Sequence, residues 1–217
     1  MAKPPPAKKR GIGCCGCGCF IFVLLALLLT AAVGGALYLT YITATSAQPV
    51  TIPTFDAGND VYSQARQKIS GFNHDLENHL PAAIHLNSDE LNTLIARSPA
   101  FVNNPTHLSI TLTDDHARLQ VSAPLSALTQ DKLKDRYLNI DTTFGLNFDL
   151  DARNINLVFK SFQIGSEKAP ENDLPLLQSW INPALNQQLL KDPATKSLIN
   201  RASRIEIKDG ELIIETK

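Results

Sequence analysis

Apolar and polar positions follow three patterns along the chain, and each predicts a different kind of element. From Phe20 to Ile42 the sequence FIFVLLALLLTAAVGGALYLTYI holds 23 residues without a charge. Wound as a helix it spans about 35 Å, enough to cross a hydrocarbon core of roughly 30 Å with some tilt. A continuous helix also satisfies its own backbone groups, as lipid requires.

Beyond that segment the period becomes helical. Val61, Ala65, Ile69, Phe72, Leu76 and Leu80 recur at steps of three or four, predicting an amphipathic helix ended by Pro81. After a short strand at Ala82–Leu86, Asn87-Ser88-Asp89-Glu90 has the composition of a capping box. The helix it opens carries Leu91, Leu94 and Ile95 on one face and stops near Ser98-Pro99. Later, Asp173 with Pro175 behind it predicts a capped helix whose apolar face is Leu176, Leu177, Trp180, Ile181, Ala184, Leu185 and Leu189. Pro183 should kink that helix, or Asn182 should recap it. Asp192-Pro193 caps a last short helix.

The third pattern has period two. Leu108, Ile110 and Leu112 alternate with polar residues, Thr113 to His116 make a turn, and Leu119, Val121 and Ala123 alternate again. A polar helical connection around 128–134 leads to a long strand with Ile140, Thr142, Phe144, Leu146, Phe148 and Leu150 on one face. Ile155, Leu157 and Phe159 resume the alternation, whose parity then slips to Phe162 and Ile164, predicting a bulge near Lys160–Ser161. The chain closes in a hairpin around Asp209-Gly210, where pairing Lys208 with Glu211 sets Ile207 opposite Leu212 and Ile205 opposite Ile214. The predicted fold class is α+β: a single N-terminal transmembrane helix, then a curved antiparallel sheet packed against amphipathic helices.

Charge gives the orientation. Lys3, Lys8, Lys9 and Arg10 precede the apolar segment and no Lys or Arg follows until Arg66, which predicts a cytoplasmic N-terminus and an extracytoplasmic C-terminal domain in the cell membrane. Thr45-Ser46-Ala47 has the look of a signal cleavage site, but a signal core is only about 7–15 residues long, so the segment reads as an uncleaved anchor. The expected organisation is a Pro/Lys-rich tail over 1–13, a cysteine-rich edge and anchor over 14–42, a Thr/Ser/Pro/Ala linker over 43–58, and one domain over 59–217. With four positive charges in the tail and a formal total of −1, the exterior part carries −5, which excludes an electrostatic footprint for nucleic acid. Ala31/Gly35 and Ala32/Ala36 give the anchor small-xxx-small spacing, a face on which two copies would pair as a homodimer.

All four cysteines, Cys14, Cys15, Cys17 and Cys19, lie at the cytoplasmic edge of the anchor. The exterior is therefore held without disulfides. Three readings stay open for the cluster: acylation of juxtamembrane thiols, thiolate metal binding without the usual C-x₂-C spacing, or cysteine as a small apolar residue at the boundary.

Candidate chemistry is sparse. Asp75/His79 is a lone i, i+4 pair, and Asp141, Asp149 and Asp151 share the wet face of a strand, both patterns of solvated surfaces. Neither a nucleophile motif nor a Gly-rich phosphate turn is present, so the reading is non-enzymatic, with no cofactor and no metal. What remains is geometric. A bulged sheet partly covered by helices leaves an apolar groove, lined here by Leu108, Ile110, Leu112, Ile140, Phe144, Leu146, Phe148, Leu150, Ile155, Leu157 and Phe159.

LPAAIHLNSDELNTLIARSP, the hairpin LSITLTDDHARLQVSAPL, the strands LNIDTTFGLNFDLDARNINLVFKSFQIG, the leucine-rich helix and the terminal DGELII together cover Leu80 to Lys217. This order resembles the YpmS-like and YceB-like bacterial envelope proteins, related in shape to tubular lipid-binding (TULIP) domains. The resemblance implies a non-enzymatic domain that holds lipid or another apolar ligand near the membrane. The alternative is a structural or assembly protein of the envelope that docks onto a partner complex.

Overall fold

The structure, a computed structural model, describes residues 45–46, 48–52, 55–102, 106–126 and 136–217. The anchor, the four cysteines and the 128–134 connection lie outside them. No described helix is long and apolar enough to cross a membrane.

The described chain is α+β, with every strand pairing antiparallel. In order the elements are β1 (Thr45–Ser46), α1 (Asn59–Glu77), β2 (Ala83–Asn87), α2 (Ser88–Ala96), α3 (Pro99–Val102), β3 (His107–Thr113), β4 (His116–Pro124), β5 (Tyr137–Asp149), β6 (Asn154–Ile164), β7 (Glu167–Lys168), α4 (Leu174–Leu189), α5 (Pro193–Arg201), β8 (Ala202–Lys208) and β9 (Glu211–Thr216). They build two sheets: six strands in the order β3-β4-β5-β6-β7 with β1 added to β5, and three strands in the order β2-β9-β8.

Local chemistry explains most boundaries. The Glu90 N–H donates to Asn87 Oδ1 (2.9 Å) and the Asn87 N–H to Glu90 Oε2 (3.0 Å), a closed capping box at the start of α2. Asp192 accepts from the Thr195 N–H at 2.8 Å and caps α5. Asp209 (φ 54°) and Gly210 (φ 75°) both take positive φ, as a type I′ turn requires, and β8–β9 pair in the expected register. Between β5 and β6, Thr143 faces Ser161 while Phe144 faces Phe159, so Lys160 is the extra residue of the bulge.

Several expectations are corrected. The sheet is not single: β9 takes β2 as its second neighbour, and β8 crosses the hairpin-tip end of the large sheet. There Arg153 in the β5–β6 turn donates to the Ala202 carbonyl (2.6 Å), and the Gly210 N–H donates to the Asp114 carbonyl in the β3–β4 turn (3.2 Å). Alternation fixes which residues of a strand face inward but not which sheet it joins. α4 runs unbroken through Pro183, and Asp173 closes a 3₁₀ turn over Glu171–Asp173 instead of capping with its side chain. Leu176 and Trp180, expected on its apolar face, are exposed. Part of the stretch read as a linker lies on the domain: Thr45 and Ser46 pair with Leu138 and Tyr137, the Val50 N–H donates to Asn139 Oδ1 (3.3 Å), and Ile52 is buried.

One hydrophobic core joins both sheets to α1, α2, α4 and α5, through residues such as Phe72, Leu86, Leu94, Leu119, Leu177 and Ile199. Phe144, Phe159 and Phe162 meet edge to face, with ring centroids 6.3 and 5.8 Å apart.

Candidate functional site

The edges of the large sheet carry a device that periodicity does not reveal. An edge strand presents a row of unpaired N–H and C=O groups, on which another strand can add. On β6 that row is filled by amide side chains of α4. Asn186 accepts from the Ile155 N–H (2.8 Å) and donates to the Ile155 carbonyl (2.8 Å). Asn182 does the same for Leu157 (2.9 and 3.2 Å), and Gln178 accepts from the Phe159 N–H (2.7 Å). Four helical residues rise about 6 Å and two strand residues about 6.7 Å. Amides at i, i+4 and i+8 therefore keep step with alternate residues of the strand. Further along, the Ala169 N–H takes the Phe162 carbonyl (2.8 Å) and β7 pairs with Gln163 and Ile164.

The opposite edge repeats the scheme on β3. Asn92 of α2 accepts from the Ile110 N–H (2.9 Å) and donates to its carbonyl (2.7 Å), and Ser88 accepts from the Leu112 N–H (2.7 Å). The next position in that row is Ala96, whose methyl group offers no hydrogen bond. Beside it a hollow of about 240 Å³ opens, lined by Phe55, Ile95, Ala96, Phe101, Val102 and Leu108 among others. A second, more open hollow of about 420 Å³ lies between Gly145, Leu146, Val158, Lys160 and Ile207.

The eleven residues predicted to line an apolar groove divide into three groups. Leu108, Ile110, Leu112, Ile140, Phe144, Ile155, Leu157 and Phe159 are buried in the core, with Leu146 and Phe148 half-buried against it. Leu150 leaves the strand for the β5–β6 turn and is 48% exposed. Leu108 borders the first hollow and Leu146 the second.

Charged groups pair on the surface. Arg118 donates through Nε to Asp141 (2.9 Å), and Gln120 donates to the same carboxylate (3.0 Å); the bond from Arg118 holds that carboxyl below the usual range. Asp115 is lowered to about 2 by its hydrogen bonds from His116 and Lys160. Arg97 ties Asp56 and Asn59 to the end of α2 and lies 4.9 Å from the Tyr62 ring centre. Among the described residues no group of three His, Cys, Asp or Glu side chains is placed to hold a metal.

The amides were open to sequence reasoning only as an oddity. α4 has no charged residue in sixteen, and its Gln178, Asn182 and Asn186 stand at i, i+4 and i+8 beside a leucine face. That spacing is the one signal available for an edge-capping helix. No family model matches the chain, and neither curated proteins nor solved structures give a match.

Proposed function

We propose that this chain is a single-pass, membrane-anchored docking module of the cell envelope, whose extracytoplasmic domain is a non-catalytic platform for a partner complex. The observation that supports it best is where the apolar strand residues go. Side chains that would have to line a cargo groove are spent on packing β3, β5 and β6 against α2, α4 and the small sheet. The amide rows hold both edges of the large sheet to their helices. A filled core whose sheet edges are capped at most positions meets other molecules through its surface. The anchor supports the reading too: Ile42 lies three residues before Thr45, which is paired in β1, so the domain sits close to wherever that segment is embedded.

The test is photocrosslinking of the full chain in native membranes from probes on the domain surface. A stoichiometric protein adduct is the expected result; adducts to lipid alone, or none, refute it. A second reading, binding of a lipid or other apolar ligand, is favoured by the hollow beside Phe55, Phe101 and Val102. Its volume is below the roughly 300–1,000 Å³ of ordinary small-molecule sites, so only part of an acyl chain would fit. Native mass spectrometry showing a retained lipid would favour this second reading over the first.

A further inference from the structure

The row of side chains closing the β3 edge is one rung short, and the missing rung faces a hollow. In the β3–β4 ladder, Ile110 opposite Leu119 and Leu112 opposite Ala117 turn their N–H groups outward, to Asn92 and Ser88. Residues on an antiparallel strand alternate in this respect, and the register from Leu112↔Ala117 to Leu108↔Val121 has no bulge. The Leu108 N–H and C=O therefore also point outward. Spacing by four along α2 puts position 96 beside them, where the residue is alanine. On β6 each of the corresponding steps is filled by an amide.

We propose that this gap is a peptide-binding site, taking one residue of an extended segment of a partner protein by strand addition. The incoming residue would donate its N–H to the Leu108 carbonyl and accept from the Leu108 N–H. Opposed residues on antiparallel strands project to the same face, so its side chain enters the hollow among Ile95, Phe101 and Leu108. The volume, about 240 Å³, equals some eight waters at ~30 Å³ each. That is room for one large apolar side chain with a little backbone, and less than a drug-sized ligand needs. Main-chain bonds supply affinity in such complexes and the pocket supplies the preference. The inference rests on the docking reading and names its place.

The test uses the full chain in lipid nanodiscs and the capped peptide acetyl-Thr-Val-Leu-Val-Thr-amide. A second peptide is N-methylated at its leucine, which removes the donor to Leu108. Expected is a slowing of Leu108 amide exchange of at least tenfold at saturation. Methylation should weaken binding at least tenfold, as should Ala96→Asn, which supplies the missing rung. Unchanged exchange at Ile110 establishes that the variant is folded. No slowing at millimolar peptide, or slowing indifferent to methylation, overturns the proposal. Such a failure leaves crosslinking in membranes untouched, whereas loss of the crosslinked partner removes the docking reading without altering the peptide result.

Discussion

Replacing Asn186 by leucine tests the edge-capping row directly. Asn186 is buried and makes three hydrogen bonds: from the Ile155 N–H, to the Ile155 carbonyl, and to the Asn182 carbonyl (2.8 Å each). Leucine keeps the size and removes all three. Two backbone groups of Ile155, a fully buried residue, then lose their partners. Each such group costs about 1–3 kcal/mol, and water reaching a sheet edge recovers part of that, leaving a loss of roughly 2–4 kcal/mol. At about 2–4 °C per kcal/mol for a domain of this size, Tm should fall by roughly 5–15 °C. Urea unfolding and amide exchange are the assays, with Gln187→Leu, on the exposed side of α4, as the control expected within about 0.5 kcal/mol. Exchange at Ile155 should accelerate while amides bonded to β5 stay protected. A loss below 0.5 kcal/mol, with Ile155 unchanged, would mean the amides decorate the edge without holding it.

Three further outcomes are expected. Asn87→Ala opens the capping box and should cost about 1 kcal/mol by urea unfolding. Gly210→Ala should also cost about 1–2 kcal/mol, because φ is +75° there; the added Cβ meets the Leu112 carbonyl at an ordinary 3.7 Å, so the penalty is one of conformation, not of space. The carboxyls of Asp141 and Asp115 are held below 3.8 by Arg118 and by His116 with Lys160, Asp115 at about 2. Their contribution to stability is complete above the unfolded value and lost as pH falls through the folded one, so Asp115→Asn with Asp141→Asn should flatten the decline of Tm between about pH 4 and about pH 2. Asp115 is exposed and Asp141 only half-buried, so the effect is small.

Much of the fold was legible because binary patterns dictate it. The β3–β4 hairpin, the β5–β6 pair with its bulge, the capping box at Asn87 and the register of the last hairpin follow from alternation and turn chemistry. What was not legible depends on tertiary partners. Nothing in Ala83–Asn87 says that it will lie beside β9, and nothing in Leu176 or Trp180 says that the amide side of α4 will turn toward β6. Most of the side chains from Leu108 to Phe159 that could have lined a groove pack into the core, for a related reason. Apolar alternation marks a face that must be covered, and it reads the same whether a ligand or a neighbouring element covers it. The open rung at Ala96 is visible only once Asn92 is seen to pair with Ile110.

The most direct test is native mass spectrometry of the full chain isolated from its cells in mild detergent. A docking module should appear bound to a protein partner in fixed stoichiometry, with no apolar small molecule surviving collisional activation. A chain that retains a lipid in place of a partner would contradict it.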